Sequence, residues 1–302
     1  MALSPEIRLP LVVTALATLL AGPACIDIVG SDLGKYVERE EKHFTTTGKP
    51  QVDLSTFDGS IEVRPWDRAE VQVIIEKRAV SKEAAATIEI HAEQNGNRVV
   101  VDVKTQRAPG INFHFNNSKS AKLIVSLPAS SDLVAKSGDG SIDVERVTGR
   151  VELRSGDGSI RAREMGGEVS AHSGDGSIKI DGVNGALDVG TGDGSITVAG
   201  KLSSVKARTG DGSVTIRADA GSAPGGDWDV VTGDGSVTLE FPADFGAEID
   251  AHTGDGGIRM QDVTLSDVTG RIGKNSVRGK LGQGGRSVRV RTGDGSITLR
   301  RD

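Results

Sequence analysis

Apolar and polar side chains alternate along most of this chain, in short stretches arranged around a recurring phrase. Counted from Asp139 and its later equivalents, positions +3 and +5 hold Ile142 and Val144, Ile160 and Ala162, Ile178 and Ile180, then Ile196 and Val198. Positions −6 and −4 hold Val151 and Leu153, Val169 and Ala171, Leu187 and Val189, then Val205 and Ala207. Between them stand Asp143, Glu152, Arg154, Arg161, Lys179 and Asp188. A period of two means an extended strand with one buried face, so a strand is predicted on each side of every such aspartate.

The phrase is Ser/Thr-Gly-Asp-Gly-Ser-Ile/Val, centred on Asp139, Asp157, Asp175, Asp193, Asp211, Asp234 and Asp294, with a near-copy at Asp255 where Gly257 replaces the serine. The first five aspartates are 18 residues apart, and the later gaps are 23, 21 and 39. A fixed period of this size marks a solenoid, in which each repeat is one coil and its neighbours complete the core. The expected fold is therefore all-β: a single-stranded β-solenoid (β-helix) of ~18–23-residue coils over residues 136–302, preceded by a β-rich section. Gly-Asp-Gly is turn chemistry, because glycine reaches positive φ and aspartate bonds its own backbone. The Ser or Thr at −2 has inward parity, so its hydroxyls should form a ladder beneath the turn. Gly149, Gly167 and Gly185 at +10 give each coil a second corner. In the longest gap, Gly273-Lys274-Asn275-Ser276-Val277 fits the template and predicts a further coil without its carboxylate. Two coils carry extra length. Residues 221–226 precede Trp228, and Phe241-Pro242 and Phe245 follow the next turn. Solenoid insertions map to loops on one face, so Trp228, Phe241 and Phe245 are a candidate ligand loop, against the alternative of neutral length drift.

Upstream, residues 1–24 read as a signal peptide: Arg8, an apolar run over 9–21, then Gly22-Pro23-Ala24. The lone cysteine, Cys25, follows at once and resembles the lipid-bearing residue of bacterial lipoproteins, although Gly22 stands where those carry leucine. Simple cleavage after Ala24 is the alternative. Residues 25–42, with Glu38-Arg39-Glu40-Glu41-Lys42, read as a charged tether. Residues 43–135 read as the β-rich section that starts or caps the solenoid. Within it Asp58 has its own coil pattern, Ser81–Ala86 suggests one helical turn, and Asn95-Gly96 signals a hairpin.

Glycine is 41 of 302 residues and aromatics are 3%, which suits a thin stacked core better than a thick globular one. The net charge is −6 with both signs spread along outward positions and no basic stripe, which argues against nucleic acid. Phe57-Asp58-Gly59-Ser60-Ile61-Glu62-Val63, then Trp66-Asp67, then tandem Gly-Asp-Gly-Ser-Ile coils resemble the DUF4097 family, bacterial β-solenoid proteins labelled as adhesins. That resemblance implies the fold from about residue 43 onward and an adhesin-type role, and it carries no defined ligand residues.

Three kinds of site were weighed. Stacked coils would bring Asp139, Asp157, Asp175, Asp193 and Asp211 one strand spacing apart, where Ca²⁺ could relieve their repulsion. Turn chemistry explains the same column, and an alternating calcium-ligand set is absent. A polysaccharide-cleaving β-helix enzyme needs a unique cluster of acids and bases, whereas these acids recur in every coil. The C-terminal strand over 297–302 reads as an open solenoid end, its two arginines guarding the edge or docking another protein or copy. The expectation is an exported, lipid-anchored envelope protein, periplasmic or on the outer surface, without catalysis or cofactor, engaging a glycan or an envelope protein. The alternative is a structural scaffold assembling through solenoid ends.

Overall fold

The computed structural model describes residues 26–32, 35–106, 119–269 and 274–301. Residues 1–24, read above as a signal peptide, and the lipidation candidate Cys25 lie outside them. In each coil one strand approaches the Gly-Asp-Gly turn and a second leaves it. The approaching strands form an entry face and the departing strands an exit face, with one continuous apolar core between them. Parallel register is strict. On the exit face Leu123, Ile61, Ile142, Ile160, Ile178, Ile196, Val214, Val237, Ile297 and Ile258 stand directly beside one another in that order. On the entry face the order is Val99, Val52, Leu133, Val151, Val169, Leu187, Val205, Trp228, Val288 and Ile249. A slip of one residue would expose a whole coil's core set, which fixes the register.

The turns are held by two kinds of contact between coils. The amide of the first glycine donates to the same glycine's carbonyl one coil below: Gly156 to Gly138 and Gly174 to Gly156 at 2.5 Å, Gly210 to Gly192 at 2.5 Å, Gly233 to Gly210 at 2.6 Å. Beneath it, the buried hydroxyl at −2 donates to the second glycine's carbonyl of the neighbouring coil. Ser155 reaches Gly140 at 2.8 Å, Ser173 reaches Gly158 at 2.9 Å, Thr209 reaches Gly194 at 2.9 Å and Thr232 reaches Gly212 at 2.8 Å. In the serine coils the same oxygen also accepts from its own turn, as Gly158 N–H to Ser155 Oγ at 3.0 Å. The ladder is thus made of hydroxyl-to-carbonyl clips, not of hydroxyls bonded to each other. The reason for glycine also differs from the expectation. Positive φ occurs at the second corner, at Gly149, Gly167 and Gly185, and not at the Gly-Asp-Gly glycines between Gly138 and Gly295. Those are required because a methyl on Gly210 would stand 2.7 Å from the Gly192 oxygen, and one on Gly212 would run into the Gly194 carbonyl.

The charged tether expected over 25–42 is corrected: its described residues lie in two strands. Lys35–Thr45 is a strand, antiparallel to Glu70–Ala79. Its charges sit opposite complementary ones, Glu38 against Lys77 and Arg39 against Glu76, and Lys77 Nζ lies 3.3 Å from Glu38. Cross-strand pairing of opposite charges therefore builds a strand where no apolar period is visible. Ile26–Asp32 pairs beyond it. Lys82–Ala85 forms the helical turn, with Ser81 as its N-cap, and Asn95-Gly96 closes the hairpin of Ile88–Asn95 and Arg98–Thr105. No break separates residues 43–135 from the later coils, since Gln51–Thr56 pairs directly with Asp132–Ser137.

Coil order is the main departure from the sequence reading. At the far end the Asp294 coil lies between the Asp234 and Asp255 coils: Trp228–Thr232 and Ala247–Thr253 both pair with Ser287–Thr292. Likewise Val237–Phe241 and Ile258–Gln261 both pair with Ile297–Arg301. The C-terminal strand is therefore interior, and the expectation that it forms an open edge is wrong. Nor do residues 274–277, the described part of that segment, open a hidden coil, because Ser276–Leu281 runs antiparallel to Ala247–Thr253 and covers that end of the entry face. Charge accounts for the order. Arg289 stands between Asp229 and Asp250, which would otherwise be direct neighbours. Arg300 reaches Glu240 at 2.6 Å, and Arg291 reaches Asp250 at 2.8 Å. Like charges directly opposite one another destabilise a sheet, and this arrangement separates them.

Five substitutions test this arrangement. Thr232→Val keeps shape and removes the clip onto Gly212, so chemical denaturation should show a loss of about 1–3 kcal/mol, whereas Thr232→Ser should retain most of the stability. Gly212→Ala should cost more than about 4 kcal/mol, because backbone must move. Gly225→Ala, where the nearest atom is 3.9 Å away, should stay within about 0.5 kcal/mol. Burial opposes ionisation of Asp250, but hydrogen bonds and charge from Arg291 and Arg278 outweigh it and hold its pKa below the ordinary 3.8. A depressed carboxyl pKa stabilises the fold above 3.8, and this contribution disappears as pH falls through the lower folded value. Asp250→Asn should therefore lower Tm near neutrality, by up to about 1 kcal/mol in stability, with the gap to wild type closing in acid.

Candidate binding face

The outward side chains of the entry face read as three columns, and their lengths set its relief. In the Asp157 coil they are Arg150, Glu152 and Arg154, with Arg150 paired to Glu168 at 2.9 Å. Further along they shrink to Ser170, then Ala186 and Gly190, then Ser204. The result is a depression in two joined parts. One, of about 400 Å³, is lined by Glu168, Ser170, Ala186, Asp188, Ser204, Lys206 and Asp229 among others. The other, of about 340 Å³, lies over Gly190 between His172 and Arg208. Asp188 and Lys206 line both.

The charges here are loosely held. Lys206 Nζ lies 3.5 Å and His172 Nε2 3.6 Å from Asp188, and all three side chains are more than two-fifths exposed. Ser170 Oγ sits 3.3 Å from His172 Nδ1, which fixes the ring beside the notch. Arg208 is paired to Asp229 at the rim. The floor thus offers a flat, small-residue surface, with a carboxylate, an ammonium, an imidazole and hydroxyls around it. Such a set donates and accepts hydrogen bonds in several directions. A third depression, lined by Glu248, Asp250, Asp267, Arg278 and Lys280 among others, has four of these five charges paired internally, Lys280 with Asp267 at 2.8 Å and Arg278 with Asp250 at 3.1 Å.

The sites expected from sequence are placed differently. Trp228, Phe241 and Phe245 are not a ligand loop: they are 1%, 0% and 1% exposed and pack on one another, with Phe241 and Phe245 stacked at 4.9 Å. Where the Asp294 coil separates its neighbours, these rings fill the core, and the indole N–H finds no acceptor among the described residues. Their slots have inward parity, so large aromatic size was mistaken for a binding signal. Asp139, Asp157, Asp175, Asp193 and Asp211 stand exposed in single file along the turn edge. The described residues hold no group of three His, Cys, Asp or Glu side chains placed around a common metal position. Repulsion along the file is felt at Asp58, whose pKa is raised by burial first and by Asp139 second. The depression went unnoticed in the sequence. The signal was available in the −3 column, where Gly190 interrupts Lys136, Arg154, His172 and Arg208.

Comparison with known proteins bears on most of the chain. The profile described as Toastrack DUF4097 matches residues 44–300. The chain belongs to the Toastrack DUF4097 family. Among solved structures, this Toastrack chain is similar to one from Clostridium sporogenes described as a "putative cell adhesion protein", at 15% identity and a TM-score of 0.28, covering 87% of this chain and 100% of that one. It is also similar to a "putative adhesin" from Bacteroides fragilis, at 10% identity and a TM-score of 0.40, covering 87% and 97%. A third, a "putative lipid binding protein" from Parabacteroides distasonis, shows 12% identity and a TM-score of 0.33, covering 86% and 96%. No curated protein matches the sequence. Among the described residues of this Toastrack chain, no helix is long and apolar enough to cross a membrane.

Proposed function

We propose that this Toastrack protein is a non-catalytic binding protein of the bacterial envelope, of adhesin type, and that it engages a glycan through the depression on its entry face. The carrying observation is the change from long, mutually paired side chains to Ser170, Ala186, Gly190 and Ser204 beside the exposed Asp188–Lys206–His172 set. A sugar ring needs a flat floor and hydrogen-bonding groups of both polarities at its edge, and this face offers both. The apolar run at 9–21 and the single Cys25 support export and a lipid anchor, which would tether the rod by the end where its chain begins. The adhesin descriptions of similar structures accord with a binding role.

Gly190→Arg tests the site. The next coil already carries Arg208 in that column and Arg154 stands two coils away on the other side, and the side chain crowding Gly190 is the movable ring of His172 at 3.0 Å, so the fold should tolerate the change. Binding of wild type and variant would be compared on an array of bacterial surface polysaccharides and peptidoglycan fragments. The expected result is a wild-type signal that falls at least about tenfold in the variant, or ~1.4 kcal/mol. Equal binding by both proteins would move the site elsewhere, and no binding by wild type would remove glycan as the ligand class.

A further inference from the structure

The rod departs from chain order at both ends, but in physically different ways. Near its start, the coil of residues 51–66 is clasped by later segments, Arg98–Thr105 and Ser120–Pro128 on one side and Asp132–Ser137 and Ile142–Glu145 on the other. Later chain simply wraps around earlier chain. At the far end the relation is reversed. The last coil, residues 287–301, sits between two coils that precede it in the chain and are consecutive in it. It can reach that seat only after, or while, the Asp234 and Asp255 coils stand apart.

The seat is specific for this coil in charge and shape. Val288, Val290, Ile297 and Leu299 are fully buried in it. Thr292 donates to Gly235 on one side at 2.7 Å, and Thr253 donates to Gly295 on the other at 2.7 Å. Arg300 meets Glu240, and Arg291 meets Asp250. None of these contacts depends on the coil arriving from its own chain. The connection that delivers it, Gly282-Gln283-Gly284-Gly285-Arg286, holds three glycines at positive φ and crosses the chain at Phe245-Gly246 to pass from one side of Ala247–Thr253 to the other. A connection that can take another path, joined to an element whose seat is self-contained, permits exchange of that element between copies.

We propose that the seat between the Asp234 and Asp255 coils accepts the C-terminal coil, residues 287–301, of a second copy of this chain, so that the protein assembles by reciprocal exchange of that coil. The seat adjoins the entry-face depression at Asp229, which lies beside Arg289 of the seated coil, but an exchanged coil restores that neighbour, so neither proposal depends on the other. An exchanged pair reproduces every contact of the seat, and only the path of residues 282–286 differs.

The test uses the full chain carrying Cys25→Ser, Thr238→Cys and Thr298→Cys, because Thr238 and Thr298 are direct register partners on the outer surface. The protein is refolded at several concentrations spanning roughly two decades, and seated coils are closed with a short thiol-to-thiol cross-linker. Exchange predicts that the fraction of covalently linked dimers rises several-fold with concentration during refolding, at the expense of chains closed on themselves. Closure within single chains at every concentration, including in any non-covalent dimer, would overturn the proposal. Deleting Gly284 and Gly285 shortens the connection and should shift linkage toward dimers at all concentrations. A folded monomer from that variant, linked within itself, would also overturn it.

Discussion

Everything in this rod depends on how closely one coil's turn can approach the next. The backbone ladder does not stop at the corner: first-glycine amides donate to first-glycine carbonyls around the bend, and a buried hydroxyl clips each turn to its neighbour. That approach leaves no room for a Cβ at either glycine. The Gly-Asp-Gly phrase is thus written by contact between coils as much as by the turn itself. The aspartates stand exposed in single file while backbone and hydroxyl do the holding.

Because the clip reads only backbone carbonyls, it cannot tell one coil from another. Ser137, Ser155, Thr209 and Thr292 all make the same bond to whichever turn lies beside them. Coil order must be specified elsewhere, and the outward charges do so. Arg289 stands between Asp229 and Asp250 in a place where chain order would set two aspartates side by side. The aromatic trio of Trp228, Phe241 and Phe245 then fills the core at that junction. A generic clip with charge-coded order gives a rod whose outer face is free to vary, and the entry-face depression is one such variation.

The solenoid, its two faces and its inward columns were legible because period-two alternation and an 18-residue spacing both repeat many times. What escaped was non-periodic. Lys35–Thr45 looked like a tether because cross-strand charge pairs leave no apolar signature. The place of residues 287–301 was invisible because one coil's turn phrase is interchangeable with another's. Trp228 drew attention as an aromatic beside an insertion, although its inward slot already assigned it to the core. Gly190 was passed over because a missing side chain is conspicuous only when the coils are aligned column by column.

The most direct test of the central claim is hydrogen exchange at the first glycine of each turn. Gly156, Gly174 and Gly210 lie at an exposed corner, where amides of ordinary surface turns exchange quickly. If turn-to-turn bonding carries the stack, these amides should be protected nearly as well as those of the buried strands beside them, Leu153 and Ala171 among them. Exchange at open-loop rates, with the strands still protected, would show that the strands alone hold the rod and that the corners merely follow.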